Sequence, residues 1–216
     1  MDNIQEQWIL PVFYEKDEQG ERDTIGGQSF VVGTCLITAA HVIVDAYRPY
    51  IILAGERLYL MKENTIAYSF TPNTDNLGDY EDYAIFLLSN ELKSPLSFSK
   101  IENKSNWLCK YRRKVQHENM EICESNIFST KAKKQKSYVK THLFTSLATF
   151  DNIISPKLFQ CKVSPVLAKG DSGCPIVTTD NQIIGFLIGA REENLDIHLF
   201  QSAAFIKKIL EQCLAN

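Results

Sequence analysis

The sequence has no uninterrupted apolar stretch approaching the roughly 20 residues needed to cross a bilayer, which excludes a helical membrane span. It has no Cys-x-x-Cys pair among its six cysteines (Cys35, Cys109, Cys123, Cys161, Cys174 and Cys213), and its four histidines are scattered. Zinc-site spacing is therefore missing, and the cysteines read as reduced core thiols rather than a disulfide framework. An excess of basic residues is also missing: 23 Lys and Arg against 26 Asp and Glu give a net charge of -3. That argues against a dominant role in binding nucleic acid or an anionic membrane. The first residues, Met1-Asp2-Asn3-Ile4-Gln5-Glu6-Gln7, lack the basic and then apolar pattern of an export signal. No internal repeat is visible. What is present is ordinary for a soluble globular protein, 44% hydrophobic and 23% charged over 216 residues, enough for one domain or two small lobes.

Short apolar runs separated by turn residues dominate: Trp8 to Tyr14, Ser29 to Val32, Cys35 to Thr38, Tyr50 to Leu53, Ala84 to Leu88, Phe144 to Ala148, Leu158 to Val163 and Ile183 to Ile188. They are rich in β-branched and aromatic residues and too short for typical helices, so an all-β barrel or sandwich is predicted. Glu18-Gln19-Gly20-Glu21 and Asp180-Asn181-Gln182 read as turns. The chain's end differs. Ala203, Phe205, Ile206, Ile209, Leu210, Cys213 and Leu214 recur at helical spacing with Lys207, Lys208 and Glu211 opposite, predicting an amphipathic helix that packs on its own barrel. Ser89 to Lys100 reads as a crossing between lobes, giving an N-terminal lobe over 1–92 and a C-terminal lobe over 93–216. Lys110, Arg112, Arg113 and Lys114, then Lys131, Lys133, Lys134, Lys136 and Lys140, make the middle of the second lobe basic. Aromatics are sparse among these charges, so a solvated loop is favoured over a nucleic-acid patch.

Three signatures carry chemistry: Thr38-Ala39-Ala40-His41, Asp82-Tyr83-Ala84-Ile85-Phe86-Leu87-Leu88, and Gly170-Asp171-Ser172-Gly173-Cys174-Pro175. A serine hydroxyl is a poor nucleophile near neutral pH. It needs an imidazole to take its proton and a carboxylate to orient that imidazole and stabilise its charge. All three roles are filled, in the order His, Asp, Ser, at separations of about 40 and about 90 residues.

Together with Gly26-Gly27-Gln28-Ser29-Phe30, these signatures resemble the chymotrypsin/trypsin-like serine peptidases, in their compact bacterial form, over nearly the whole chain. The resemblance implies two perpendicular six-stranded β-barrels with a C-terminal α-helix and an active site in the cleft between them. It implies His41 as general base and acid, Asp82 as orienting carboxylate, Ser172 as nucleophile, and the N–H groups of Gly170 and Ser172 as the oxyanion hole. The primary pocket would have its floor at Val166, its walls at Ile188, Gly189 and Ala190, and its back at His198 and Phe200. Val166 offers no carboxylate for Lys or Arg. His198 could donate to an acidic or amide side chain, and Phe200 favours an apolar one. The substrate would be a protein or peptide, with no cofactor, metal or membrane. The alternative is a catalytically silent interaction module on the same fold.

Departures from the family pattern carry information. Cys174 stands where a second glycine is usual, which puts a thiol behind the nucleophile. Val42 follows His41 where secreted relatives often have cysteine, which fits a reducing compartment and a cytoplasmic location. Secreted relatives pair a freed N-terminus with the aspartate at Asp171. Here Ile25-Gly26-Gly27 lies too close to His41 for that and belongs to a strand. Asp171 then needs another partner or stays exposed; in some single-chain relatives an upstream lysine takes that place, and Lys131, Lys133, Lys134 and Lys136 lie in about the right region. Without a fixed partner the oxyanion hole would form only when substrate or an activating partner protein binds. A stand-alone peptidase in the cytoplasm favours narrow specificity and a role in bacterial defence or stress.

Overall fold

The computed structural model describes residues 7–15, 24–44, 46–72, 74–88, 94–101, 106–114, 141–180, 182–191 and 194–215. Strands β1 (Ile9–Tyr14), β2 (Thr24–Val32), β3 (Cys35–Thr38), β4 (Pro49–Leu53), β5 (Glu56–Tyr59), β6 (Thr65–Phe70) and β7 (Asp82–Leu87) form one sheet in the order β5-β4-β1-β2-β3-β7-β6. Strands β8 (Trp107–Lys114), β9 (Thr141–Ser155), β10 (Leu158–Ser164), β11 (Pro175–Val177), β12 (Ile183–Arg191) and β13 (Asn194–Ser202) close into a barrel in the order β10-β13-β12-β11-β8-β9. Helix α1 spans Ala203–Leu214. The expected double-barrel architecture is therefore present. The second lobe has the six strands foreseen, whereas the first is a seven-stranded sheet in which β5 and β6 remain edges.

Each predicted apolar run falls on a strand, and Ile25-Gly26-Gly27 lies within β2. The run Lys110 to Lys114 is a correction: it is part of β8, not a solvated loop. Its alternation explains why, since Trp107, Cys109 and Tyr111 are buried in the barrel core. The arginines that follow find protein partners: Arg112 Nε donates to Ile9 O at 2.7 Å, and Arg113 pairs with Asp171. Lys131, Lys133, Lys134, Lys136 and Lys140, with the Glu18 to Glu21 turn, lie outside the described residues.

Two apolar clusters hold the lobes. One fills the closed barrel with Trp107, Phe159, Cys161, Cys174 and Phe200. The other runs through the first lobe, across the interface where Phe30 meets Phe186 at 5.8 Å, and out to the helix. Helix α1 packs on β6, β12 and β13 through Ala203, Ile206 and Leu210, so it lies on its own fold as expected and touches both sheets. Burying side chains such as Ile206 and Leu210 contributes about 1.5–3 kcal/mol each. Among the described residues no helix is long and apolar enough to cross a membrane.

Cys35, Cys109, Cys161, Cys174 and Cys213 are all free thiols, and Cys123 lies outside the described residues. Burial pushes the Cys109 thiol well up, reinforced by its hydrogen bond with Cys174, and pushes Cys161 up to about 12. Thiolates, not thiols, react. In the native protein Cys213, half-buried on α1, should therefore be alkylated well before Cys35, Cys109, Cys161 and Cys174. Mass spectrometry after a timed alkylation checks this order. Rapid modification of Cys174 would contradict the packing behind Ser172.

Candidate active site

His41 leaves β3 on a short 3-10 turn, Ala40–Val42, whose Ala39 and Ala40 are fully buried. Methyl groups are all this corner can hold, so the chain turns sharply and carries the imidazole to the surface. Asp82 opens β7 at 0% exposure. Its Oδ1 accepts the His41 backbone N–H at 2.9 Å, and its Oδ2 lies 2.5 Å from His41 Nδ1. The Tyr80 hydroxyl adds a bond to Oδ2 at 3.3 Å. Burial, reinforced by the Asp82 carboxylate, raises the Tyr80 pKa, so its proton stays in place as a donor. From the second lobe, Gln201 Oε1 accepts the Asp82 N–H at 3.1 Å. A carboxylate can only accept, so Nδ1 carries the ring proton and Nε2 keeps its lone pair. The ring is about one-third exposed, at 32%.

Ser172 lies in the loop between β10 and β11, half-buried. Close contacts bring this loop onto the strands that lead to His41. The Gln28 N–H donates to Ser172 O at 2.7 Å, and a Cβ at Gly27 would sit 2.5 Å from the Val42 side chain and 2.9 Å from Ser172 O. Gly173 has φ +85°, and a Cβ there would lie 2.0 Å from Gln28 O and 2.8 Å from Thr38 Oγ1. Only glycine allows both the left-handed turn and that approach. The serine loop thus meets β2 backbone to backbone at Gln28, with the Thr38 hydroxyl beside it. The Ser172 hydroxyl makes no hydrogen bond with any described residue, as is common in a site without substrate.

The loop's peptide planes are fixed one by one. Asp171 N–H donates to Ala168 O and Cys174 N–H to Asp171 O, both at 3.0 Å. In a trans peptide the N–H points opposite the carbonyl. With the Asp171 carbonyl turned onto Cys174, the Ser172 N–H is turned the other way. Gly170, at φ +95°, supplies the second glycine-dependent bend. Among the described residues neither the Gly170 nor the Ser172 N–H donates to a backbone acceptor.

Asp171 is 1% exposed and paired. Arg113 Nε donates to Oδ1 at 3.1 Å and Nη2 to Oδ2, a two-point fork on the carboxylate. The Arg113 guanidinium, stacked 4.6 Å over Tyr111, has its pKa raised further by this bond. The partner sought among the lysines at 131–136 is instead an arginine on β8. The charge pattern flagged Arg113, but only barrel closure, which puts β8 beside β11, could assign it. Gln28 and Thr38 stand in the quoted signatures and Tyr80 and Gln201 in none, but the roles of all four depend on contacts that no local pattern shows.

The pocket residues are spread around the second lobe. Val166 is 44% exposed and Ala190 is exposed, while Ile188 is buried in the core that spans the lobes. A Cβ added at Gly189 would meet nothing within 4 Å. Phe200 is fully buried and stacked on Phe159 at 5.4 Å, so it belongs to the barrel core behind the pocket. His198, directly opposite Cys161 and Ala190 in the sheet, is buried with its Nε2 unpartnered among the described residues, while Nδ1 lies 3.3 Å from Asp196 O. A cavity of about 590 Å³ lined by Ile43, Val44, Met61, Thr65, Tyr68 and Phe86 lies elsewhere, beside the edge strand β6. Among the described residues no cluster of His, Cys, Asp or Glu is placed to hold a metal.

Solved structures share this architecture. The chain is similar to the active form of the Rv3671c protease from M. tuberculosis, with 14% identity and a TM-score of 0.60, covering 96% of this chain and 81% of that one. It is similar to the serine endoprotease from Yersinia pestis, with 12% identity and a TM-score of 0.60, covering 100% of this chain and 68% of that one. It also resembles the catalytically active tobacco etch virus protease complexed with product, at 15% identity and a TM-score of 0.55, over 97% and 80% of the two chains. No family model and no curated protein matches the sequence. The chain has the fold of trypsin-like serine proteases.

Proposed function

We propose that this chain is a serine endopeptidase that cleaves protein or peptide substrates through His41, Asp82 and Ser172. The observation that supports it most is the His41–Asp82 pair. A fully buried carboxylate is held by three hydrogen bonds to one imidazole residue and one tyrosine, and a half-exposed serine lies in the loop packed against the same strands. Burying a carboxylate is costly unless its oxygens are satisfied. Here satisfaction comes largely from the groups that would make His41 a base.

In the proposed reaction, Ser172 Oγ attacks the scissile carbonyl carbon while His41 Nε2 takes its proton. The oxyanion is received by the N–H groups of Gly170 and Ser172, each worth roughly 3 kcal/mol in such sites. His41 returns the proton to the leaving amine, and water then hydrolyses the acyl-enzyme by the same route. A fluorophosphonate probe separates this reading from the interaction-module alternative, because it bonds to an activated serine. The expected result is one adduct on Ser172, and no adduct on the intact protein would exclude the peptidase. The Arg113–Asp171 pair supports a nucleophile loop that forms without an activating partner protein. The cytoplasmic setting and a defence or stress role remain part of the proposal.

For specificity, the open space at Gly189 and the unpartnered His198 Nε2 support a pocket that takes apolar, amide or acidic side chains and rejects Lys and Arg. Gly189→Phe should fill that space without backbone strain. A loss of about 100-fold or more in kcat/KM for large side chains is expected, since about 2.7 kcal/mol of pocket binding would be forfeited. A peptide-library profile checks it. A preference for Lys or Arg that survives in both Gly189→Phe and His198→Ala would overturn the assignment.

A further inference from the structure

We propose that Gln28 is a positioning residue for Ser172: from the first lobe it clamps the carbonyls of Gly170 and Ser172, the two residues that flank Asp171, and so holds in place the residues whose N–H groups would receive the oxyanion. This rests on the peptidase reading. Gln28 is 0% exposed on β2, and its backbone and side chain together make five hydrogen bonds. The backbone N–H donates to Ser172 O at 2.7 Å, and its C=O accepts the Thr38 hydroxyl at 2.7 Å. In the side chain, Nε2 donates to Gly170 O at 2.9 Å and to Arg112 O at 2.8 Å, and Oε1 accepts the Arg112 N–H at 2.9 Å.

Both amide hydrogens are used, and so is the amide oxygen. A buried apolar side chain of equal length would fill the space and satisfy none of these groups, at about 1–3 kcal/mol per stranded polar atom. The targets give the arrangement its meaning. Gly170 and Ser172 are the two residues whose N–H groups would receive the oxyanion. Holding their carbonyls fixes ψ on both sides of Asp171, the residue whose carboxylate Arg113 grips. Arg112, the other Gln28 partner, is the neighbour of Arg113 on β8. Thr38, the last residue of the strand that leads to His41, is tied to the same glutamine. The strand leading to the proposed base, the nucleophile loop and the neighbour of the Asp171 anchor thus converge on one residue.

The test compares Gln28→Met, which keeps length and loses the amide, with Ser29→Ala. Ser29 is the next residue on β2 and equally buried, and its hydroxyl bonds to Leu10 O at 3.0 Å. Well below either melting temperature, Gln28→Met should lower kcat at least about tenfold with KM within about threefold, the pattern of lost transition-state stabilisation. Amide hydrogen exchange over 168–174 should quicken by about tenfold or more in Gln28→Met and stay at the wild-type rate in Ser29→Ala. If Gln28→Met fails to fold, Gln28→Asn, whose shorter arm withdraws from Gly170, should give the same exchange result. Unchanged loop exchange in the glutamine variant, or equal effects in Ser29→Ala, would overturn the proposal. A wild-type protein that takes no fluorophosphonate would sink the peptidase reading, while the exchange comparison would still decide the role of Gln28.

Discussion

Ser172→Ala loses peptidase turnover by at least about 10⁴-fold while its melting temperature stays near that of the parent. The two halves of this expectation have separate physical causes. In the proposed reaction the hydroxyl oxygen forms the acyl bond, so its loss would leave only binding and the proposed oxyanion donors. It makes no hydrogen bond with a described residue and is half-buried, so removing it strands no partner and opens little space. His41→Ala should be similarly inactive, and the double variant hardly worse, because members of a triad act as a unit. Turnover assays with thermal melts on the three proteins check the set. Retained activity in Ser172→Ala, or losses that add in the double variant, would remove the proposed mechanism.

How much of this was legible in the sequence depends on the range of the interaction. The strands rich in apolar and β-branched residues, and α1 with its apolar stripe, could be placed because periodicity is local. β5, with Glu56 and Arg57, is an edge strand and lacks an apolar run. β8 and β13 are half-polar because one face looks outward or across to a partner. His41, Asp82 and Ser172 were legible because each sits in a dense local signature. Their supports were not. Gln201 reaches Asp82 across 119 residues, and Gln28 reaches Gly170 across 142. Such contacts are created by the packing of two sheets, and although Gln28 stands in the Gly26 to Phe30 signature, no local pattern assigns either residue its distant partner. Arg113 shows the intermediate case. Its charge stands out in the sequence, but a basic run is ordinarily solvated, and only burial of Asp171 beside it changes that expectation.

Arg113→Ala should destabilise the protein and slow reaction at Ser172 together, and restoring neutrality at position 171 should recover stability. Removing one partner of a buried pair leaves a charge without compensation, which typically costs about 3–5 kcal/mol. The lower part of that range is expected, because the Arg113 side chain is 41% exposed and water can follow it toward the carboxylate. Asp171 would retain the Ala168 N–H at 2.8 Å but no cation. The same change frees the plane between Gly170 and Ser172, so the fluorophosphonate reaction should slow by about tenfold or more, a cost of about 1.4 kcal/mol in the transition state. Arg113→Lys keeps charge and loses the two-point fork, so it should fall between the two in both measurements. Asp171→Asn in the Arg113→Ala background removes the stranded charge and should raise the melting temperature above that of the single variant. Labelling should stay slow, because an amide without the guanidinium does not anchor the loop. Denaturant melts and labelling rates on the three variants decide it. If Arg113→Ala melts and labels like the parent, Arg113 is an exposed charge with no hold on the loop. If the double variant melts below Arg113→Ala, the cost lies in lost packing rather than in an unpaired carboxylate.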